Sequence, residues 1–211
     1  MDAAVAPTPT KPRPSRGFVV FKWSVYALLA TDVVLYGLYG RLTEFIDTAA
    51  WVVLLLLFEW ETGGWPLPAR GVRALHGVRW LASAAVVVAV AGYALEAVWL
   101  DFCNEATWLG VVALLELEVR LPPEAVRLHR LRRLLASLLY LALVGFLLAW
   151  AAMGFGDEDP QAAWLDTWDA LLWLVAFVVI ELNVFGVRGV PRGPHRARQA
   201  QRAGGGGQPP V

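Results

Sequence analysis

Six segments of this chain are each apolar over about the 20 residues that a helix needs to cross the roughly 30 Å hydrocarbon core of a bilayer. They are residues 18–40, 44–62, 79–99, 102–119, 132–155 and 163–186. Across the whole chain 58% of residues are hydrophobic, whereas soluble domains lie nearer 45–50%. The sequence therefore predicts an all-α polytopic membrane protein with six transmembrane helices.

The two ends of the chain have a different composition from the apolar segments. Residues 1–17 are basic and rich in proline, and residues 188–211 are basic and rich in glycine. Such segments bury too little apolar surface to fold, so both are predicted to be disordered. No A-x-A cleavage site follows the first apolar segment, and we therefore expect it to remain as the first span. The transmembrane domain is predicted to occupy residues 18–187.

The distribution of arginine between the connections predicts an orientation. Arginines are concentrated in the loop 63–78, the loop 120–131 and the tail 188–211, whereas the other three connections contain only Arg41. The positive-inside rule then places both termini and both basic loops in the cytoplasm. Arg far outnumbers Lys, and Ala, Gly, Val and Leu are abundant, a bias associated with bacterial genomes of high GC content. We expect a multi-pass protein of a bacterial inner membrane.

The second, fourth and sixth segments repeat one pattern of acidic residues and tryptophan. They read EFIDTAAWVVLLLLFEWE, DFCNEATWLGVVALLELE and DTWDALLWLVAFVVIELN. Five positions correspond: Glu44, Asp101 and Asp166; Asp47, Asn104 and Asp169; Trp51, Trp108 and Trp173; Glu59, Glu116 and Glu181; Glu61, Glu118 and Asn183. Fixed-period self-similarity is typical of repeated structural units. The pattern predicts three tandem helical hairpins, residues 18–62, 79–119 and 132–186, around a pseudo-threefold axis.

The fourth position of the pattern predicts ion pairs within each hairpin. A glutamate in the last helical turn is disfavoured by the helix dipole, and so is a cation in the first turn. The odd segments begin with Lys22, Arg79 and Arg133. We therefore expect the pairs Lys22–Glu59, Arg79–Glu116 and Arg133–Glu181 to join the cytoplasmic ends of the hairpins.

The same glutamates support an alternative interpretation as an ion or proton site. If Glu59, Glu116 and Glu181 converge on the axis, they provide like charges whose mutual repulsion favours binding of a cation or a proton. Asp32 lies inside the first span, and an ionisable residue at that depth is a functional-site candidate. A hydrogen bond from Tyr36 or Tyr93 is the structural alternative for Asp32.

Several classes of function have no support in the sequence. The three histidines lie in loops or the tail, Cys103 is the single cysteine, and catalytic or nucleotide-binding motifs are absent. We expect no enzyme activity, no cofactor and no metal site. The formal net charge is zero, so no nucleic acid partner is expected. Most tryptophans fall near segment ends, among them Trp108 and Trp150, which predicts an interfacial belt rather than a ligand cage.

Two functional hypotheses remain. The first is a small proton or cation channel or transporter that uses Asp32 with the three glutamates. The second is a membrane scaffold or subunit of a larger complex, with a protein partner or further copies of the chain. In both cases the lipid bilayer is the main partner, and the basic cytoplasmic loops are expected to contact anionic headgroups.

Overall fold

The computed structural model describes residues 16–63, 68–122, 124–156 and 160–184. These residues form six α-helices: α1 Arg16–Tyr39, α2 Leu42–Gly63, α3 Ala69–Leu95, α4 Trp99–Arg120, α5 Val126–Gly156 and α6 Pro160–Val184. Every predicted apolar segment therefore coincides with a helix. Arg16 and Gly17, predicted to be disordered, belong to α1, and the rest of the two predicted disordered termini lies outside the described residues.

The helices extend beyond the apolar segments mainly at the starts of α3 and α5. α3 begins ten residues before Arg79, and α5 begins at Val126 rather than at residue 132. The added turns contain arginine, alanine and leucine, which are strong helix formers although they give no apolar run. Hydropathy therefore predicts the lipid-compatible part of a helix but does not predict the polar turns that extend it.

Three of the described helices, α1, α3 and α5, are long and apolar enough to cross a membrane. Their outward faces carry large apolar side chains that are mostly exposed, for example Trp80 at 77% and Leu141 at 68%. Exposed apolar surface on this scale needs a covering, because water disfavours it. These helices indicate a membrane-embedded protein.

The six helices form a closed ring. Each helix packs against the helices before and after it in the chain, and α1 packs against α6. α1, α3 and α5 thereby alternate around the ring with α2, α4 and α6. The even helices reach one another across the centre through large side chains: the ring of Trp173 lies 6.2 Å from that of Trp51 and 6.4 Å from that of Trp108.

A buried apolar cluster fills the middle of the ring. Leu29, Val111, Leu143 and Ala176 are almost completely inaccessible, and Trp108, Trp173 and Phe177 pack with them. Trp108 and Trp150, predicted to lie in an interfacial belt, are instead buried. The even helices present these rings inward because their Cα positions are too far apart for smaller side chains to fill the centre.

Two glycines allow close helix packing near one end of the ring. A Cβ atom at Gly92 would lie 2.9 Å from Cγ2 of Thr43, and one at Gly154 would lie 2.9 Å from the ring of Trp164. The first contact joins α3 to α2, and the second joins α5 to α6. α3 therefore packs more extensively on α2 than on α4, although the predicted hairpin pairs α3 with α4.

Candidate functional site

The two ends of the ring differ in charge, and each is named here for that difference. At the acidic end, α1, α3 and α5 finish and the even helices begin. At the basic end, the even helices finish and the odd helices begin. Arg120, Arg132 and Arg133 lie near the basic end, whereas Arg41 lies at the acidic end between α1 and α2.

Five carboxyl groups lie below the acidic end, inside the bundle. They belong to Asp32, Asp47, Glu105, Asp166 and Asp169. At 1.5 Å per residue, these positions lie about 8 to 14 Å from the nearest helix ends. Asp32 is 0% exposed, Glu105 3% and Asp47 7%. The acids therefore lie well within the helices rather than at their rim.

A cavity of about 40 Å³ opens among these carboxyl groups. This space admits about three water molecules. Asp47, Glu105, Asp166 and Asp169 contribute to its wall together with aromatic rings. Every residue at the first three positions of the repeated pattern lines it: Glu44, Asp101, Asp166, Asp47, Asn104, Asp169, Trp51, Trp108 and Trp173. Asp32 does not line this space but neighbours Asp169, which does. We call this space, its lining and Asp32 together the acidic chamber.

Aromatic side chains donate hydrogen bonds to three of the carboxyl groups. Oη of Tyr93 donates to Oδ2 of Asp47 at 3.0 Å. Nε1 of Trp51 donates to Oε1 of Glu105 at 2.6 Å. Oη of Tyr36 donates to Oδ1 of Asp166 at 2.8 Å. These bonds fix the orientation of the carboxyls but supply no positive charge.

Two pairs of carboxyl groups are close neighbours inside the bundle. Asp47 approaches Glu105, and Asp32 approaches Asp169. Two carboxyls can bond directly only when one of them holds a proton. Among the described residues, no N–H or O–H group donates to either oxygen of Asp32 or to Oδ1 of Asp47 or Asp169.

These unsatisfied oxygens define what the chamber can do. A buried carboxylate with neither a cation nor a full set of donors is costly, so it takes up a proton or a bound cation. Among the described residues, no group of three or more His, Cys, Asp or Glu side chains is arranged to hold a metal ion. The chamber is thus built to accept positive charge.

Arg41 covers the chamber at the acidic end. Its guanidinium contacts Glu44 and forms ion pairs with Asp101 at 2.7 Å and Glu96 at 3.2 Å. Its backbone N–H also donates to Oε2 of Glu44 at 2.7 Å, as in a capping box at the start of α2. Partial burial acts to lower the pKa of Arg41, but Glu44 and Asp101 outweigh it and raise that pKa above its usual value.

The basic end is closed by an ion pair and by the apolar cluster. Lys22 contacts Glu59, and Oη of Tyr26 donates to Glu59 at 3.3 Å. Leu29, which is 0% exposed, lies along α1 between this group and Asp32. The chamber and the Lys22–Glu59 pair are therefore separated by packed hydrocarbon.

The predicted hairpin pairs have different outcomes. The structure contains the Lys22–Glu59 contact. Arg79 does not reach Glu116: it pairs with Glu61 of α2 at 2.8 Å, because α3 packs mainly on α2. Glu116 is instead bound by Arg120 of its own helix at 2.5 Å. Arg133 donates to the backbone oxygen of His129 at 3.4 Å, and the side chain of Glu181 lies outside the described part of the chain.

The predicted ion site of Asp32, Glu59, Glu116 and Glu181 is not assembled among the described side chains. Asp32 lies in the acidic chamber, whereas Glu59 and Glu116 lie toward the basic end, each with a cation of its own. Asp32 is also not bonded by Tyr36 or Tyr93, which donate to Asp166 and Asp47.

Three of the five chamber acids, Asp47, Asp166 and Asp169, occupy positions of the repeated pattern. Asp47 and Asp169 lie five and nine residues inside their helices, and counting residues from each helix start would have placed them below the surface. Glu105 lies outside the pattern, and only its position in an apolar segment distinguishes it in the sequence. Comparisons with protein-family models, with curated proteins and with solved structures found no match for this chain.

Proposed function

We propose that this protein is a membrane transporter that carries a cation through the acidic chamber in exchange for protons. The observation that supports it most directly is Asp32, which is completely buried, faces Asp169 and receives no hydrogen bond from the described residues. A membrane protein that retains such a group needs a use for it, because it costs stability. Binding and releasing a proton or a cation is that use.

The two closures of the chamber favour a carrier over an open channel. Arg41 and its carboxylates lie across the acidic end, and the apolar cluster separates the chamber from the basic end. A channel needs a continuous wet path, whereas a carrier needs a site that is reached from one side at a time. Transport then requires the apolar cluster to open while the Arg41 group stays closed.

The proposed topology has six spans as three hairpin repeats. It is supported by the meeting of Trp51, Trp108 and Trp173 at the centre and by the shared lining of the cavity by equivalent acids. The arginines favour a cytoplasmic basic end, with both termini on that side. We further propose a bacterial inner membrane as its location, lipid and anionic headgroups as its partners, and transport without catalysis.

Flux measurements on the full-length protein in proteoliposomes test the proposal. With a pH-sensitive dye inside the vesicles, a cation gradient is expected to drive proton movement in the opposite direction. Asp32→Asn and Asp169→Asn are each expected to reduce this flux at least 100-fold, because each removes a proton-binding carboxyl from the facing pair.

Glu116→Gln is the matched control for these variants. It neutralises a carboxylate of the same bundle, but one that is exposed and paired with Arg120 of its own helix. Its flux is expected to equal that of the wild type. Absence of any flux from correctly folded wild-type protein would contradict transport and favour the scaffold hypothesis.

A further inference from the structure

We propose that the cation bound in the acidic chamber is a small organic cation with several N–H groups, such as guanidinium or a short alkylammonium, rather than an alkali metal ion. This inference rests on the proposed function, because it names the substrate class of the same site. It is carried by the combination of aromatic rings and unsatisfied carboxyl oxygens around one cavity.

The aromatic part of the wall is unusually dense. Trp51, Trp108 and Trp173 lie around the axis, and the ring of Phe177 stacks on that of Trp108 with centroids 4.6 Å apart. The faces of such rings attract weakly hydrated nitrogen cations, and recognition of ammonium ligands commonly uses aromatic cages. Sodium and potassium ions bind instead through close shells of oxygen, which rings do not provide.

The acceptors come from several helices around the cavity. Asp169 lies on α6 beside Asp32 of α1, and Asp47 lies on α2 beside Glu105 of α4. Oδ1 of Asp47 and Oδ1 of Asp169 both lack a donor in the described residues, and both residues line the cavity. A guanidinium group has N–H donors that point in several directions in one plane, so it can reach acceptors on separate helices at once.

The size of the cavity and the binding of the Arg41 side chain by nearby carboxylates both support a small organic cation as the ligand. A cavity of about 40 Å³ holds about three waters, so it admits only a cation of similarly small size. At the mouth of the chamber, the guanidinium of Arg41 is already held by carboxylates of Glu44, Glu96 and Asp101 on three helices. The acidic end thus binds this chemical group as part of the chain.

Tryptophan fluorescence of the full-length purified protein tests the inference, because four tryptophans line the chamber. Guanidinium chloride and methylammonium chloride are titrated at millimolar concentrations, with sodium and potassium chloride at matched ionic strength. The organic cations are expected to give a saturable change, and the alkali salts are not. Asp169→Asn and Trp173→Phe are each expected to weaken organic-cation binding at least tenfold.

Glu61→Gln serves as the control, because Glu61 is exposed and pairs with Arg79 outside the chamber. Its binding curve is expected to match that of the wild type. The comparison between salts uses wild-type protein alone, so it stands even if a chamber variant does not fold.

The outcomes separate this inference from the proposed function. Flux with sodium or potassium, without organic-cation binding, overturns the substrate class and leaves transport in place. Saturable binding of guanidinium without flux overturns transport and supports the binding site. Neither flux nor binding by folded wild-type protein overturns both.

Discussion

The acidic and basic ends of the bundle use the same residue type in opposite ways. At the basic end four glutamates have a cation: Glu59 has Lys22, Glu61 has Arg79, Glu116 has Arg120 and Glu118 has Arg132. At the acidic end Arg41 serves three carboxylates at the mouth, and the five carboxyls of the chamber lie beyond it. An acid supplied with a cation fixes helix packing, and an acid without one is available for a ligand.

The strongest test of this contrast is removal of the buried cation at the basic end. Lys22→Met leaves Glu59 largely buried, since their side chains are only 12% and 16% exposed. Breaking a buried pair from one side costs about 3 kcal/mol, which corresponds to a fall in melting temperature of about 6 to 12 °C for a chain of this size. Thermal unfolding in detergent measures it.

The double variant Lys22→Met with Glu59→Leu provides the check on that prediction. It removes both charges and leaves apolar side chains of suitable volume, so most of the lost stability is expected to return. A single Lys22→Met variant as stable as the wild type would show that Glu59 needs no partner.

The acidic end has close helix packing in addition to the ion pairs of Arg41, and Gly154→Ala tests the contribution of that packing. The new Cβ would lie 2.9 Å from the ring of Trp164, so the ring or the helix must move. Overpacking of this kind costs about 1 to 3 kcal/mol, and a melting temperature about 2 to 12 °C lower is expected in detergent.

Gly145→Ala is the matched control on the same helix. Nothing lies within 4 Å of a Cβ at that position. Because alanine favours a helix over glycine by about 1 kcal/mol, the control is expected to be neutral or slightly stabilising. Equal losses of stability in both variants would show that α5 tolerates no added methyl group. Such a result would contradict the claim that close packing at Gly154 causes the loss.

The sequence predicted the helices better than it predicted the partners of each acid. Apolar length locates a helix because lipid-facing and buried surfaces are both apolar. The register of Lys22 against Glu59 follows from the dipole argument within one hairpin. The same argument does not predict the partner of Arg79. That partner depends on how closely α3 approaches α2, and the absence of a side chain at Gly92 beside Thr43 allows the close approach.

The repeated pattern alone also does not predict how deep the chamber lies in the bundle. Helix geometry places Asp47 and Asp169 on the same side of their helices as the central tryptophans, but which face turns to the axis depends on all six contacts of the ring. Asp32 was identified because it lies far from any segment end. Its facing partner, Asp169, is 137 positions away in the chain, and only tertiary structure brings them together.

Asp32→Asn is predicted to increase stability while it removes transport. The amide places N–H donors beside Asp169, so the facing pair can bond without a proton, and no buried charge is left at position 32. Removal of an unsatisfied buried charge is expected to stabilise the fold by about 1 to 2 kcal/mol, a rise in melting temperature of about 2 to 8 °C. Destabilisation would indicate that Asp32 is a structural residue and not a retained functional one.

The smallest loss of stability is expected when the exposed ion pair of the basic end is broken. Arg79 and Glu61 are 39% and 49% exposed, so water screens their attraction and a pair of this kind contributes about 0.2 to 1 kcal/mol. Arg79→Gln is therefore predicted to lower the melting temperature by about 1 to 4 °C at low salt, and by less in 1 M salt, where screening is stronger.

Measuring Lys22→Met under the same two conditions sharpens the comparison, because a buried pair is much less sensitive to salt. If both variants lose stability equally and with the same salt dependence, burial does not distinguish the ion pairs of this bundle, and the division into structural and functional acids must rest on the chamber alone.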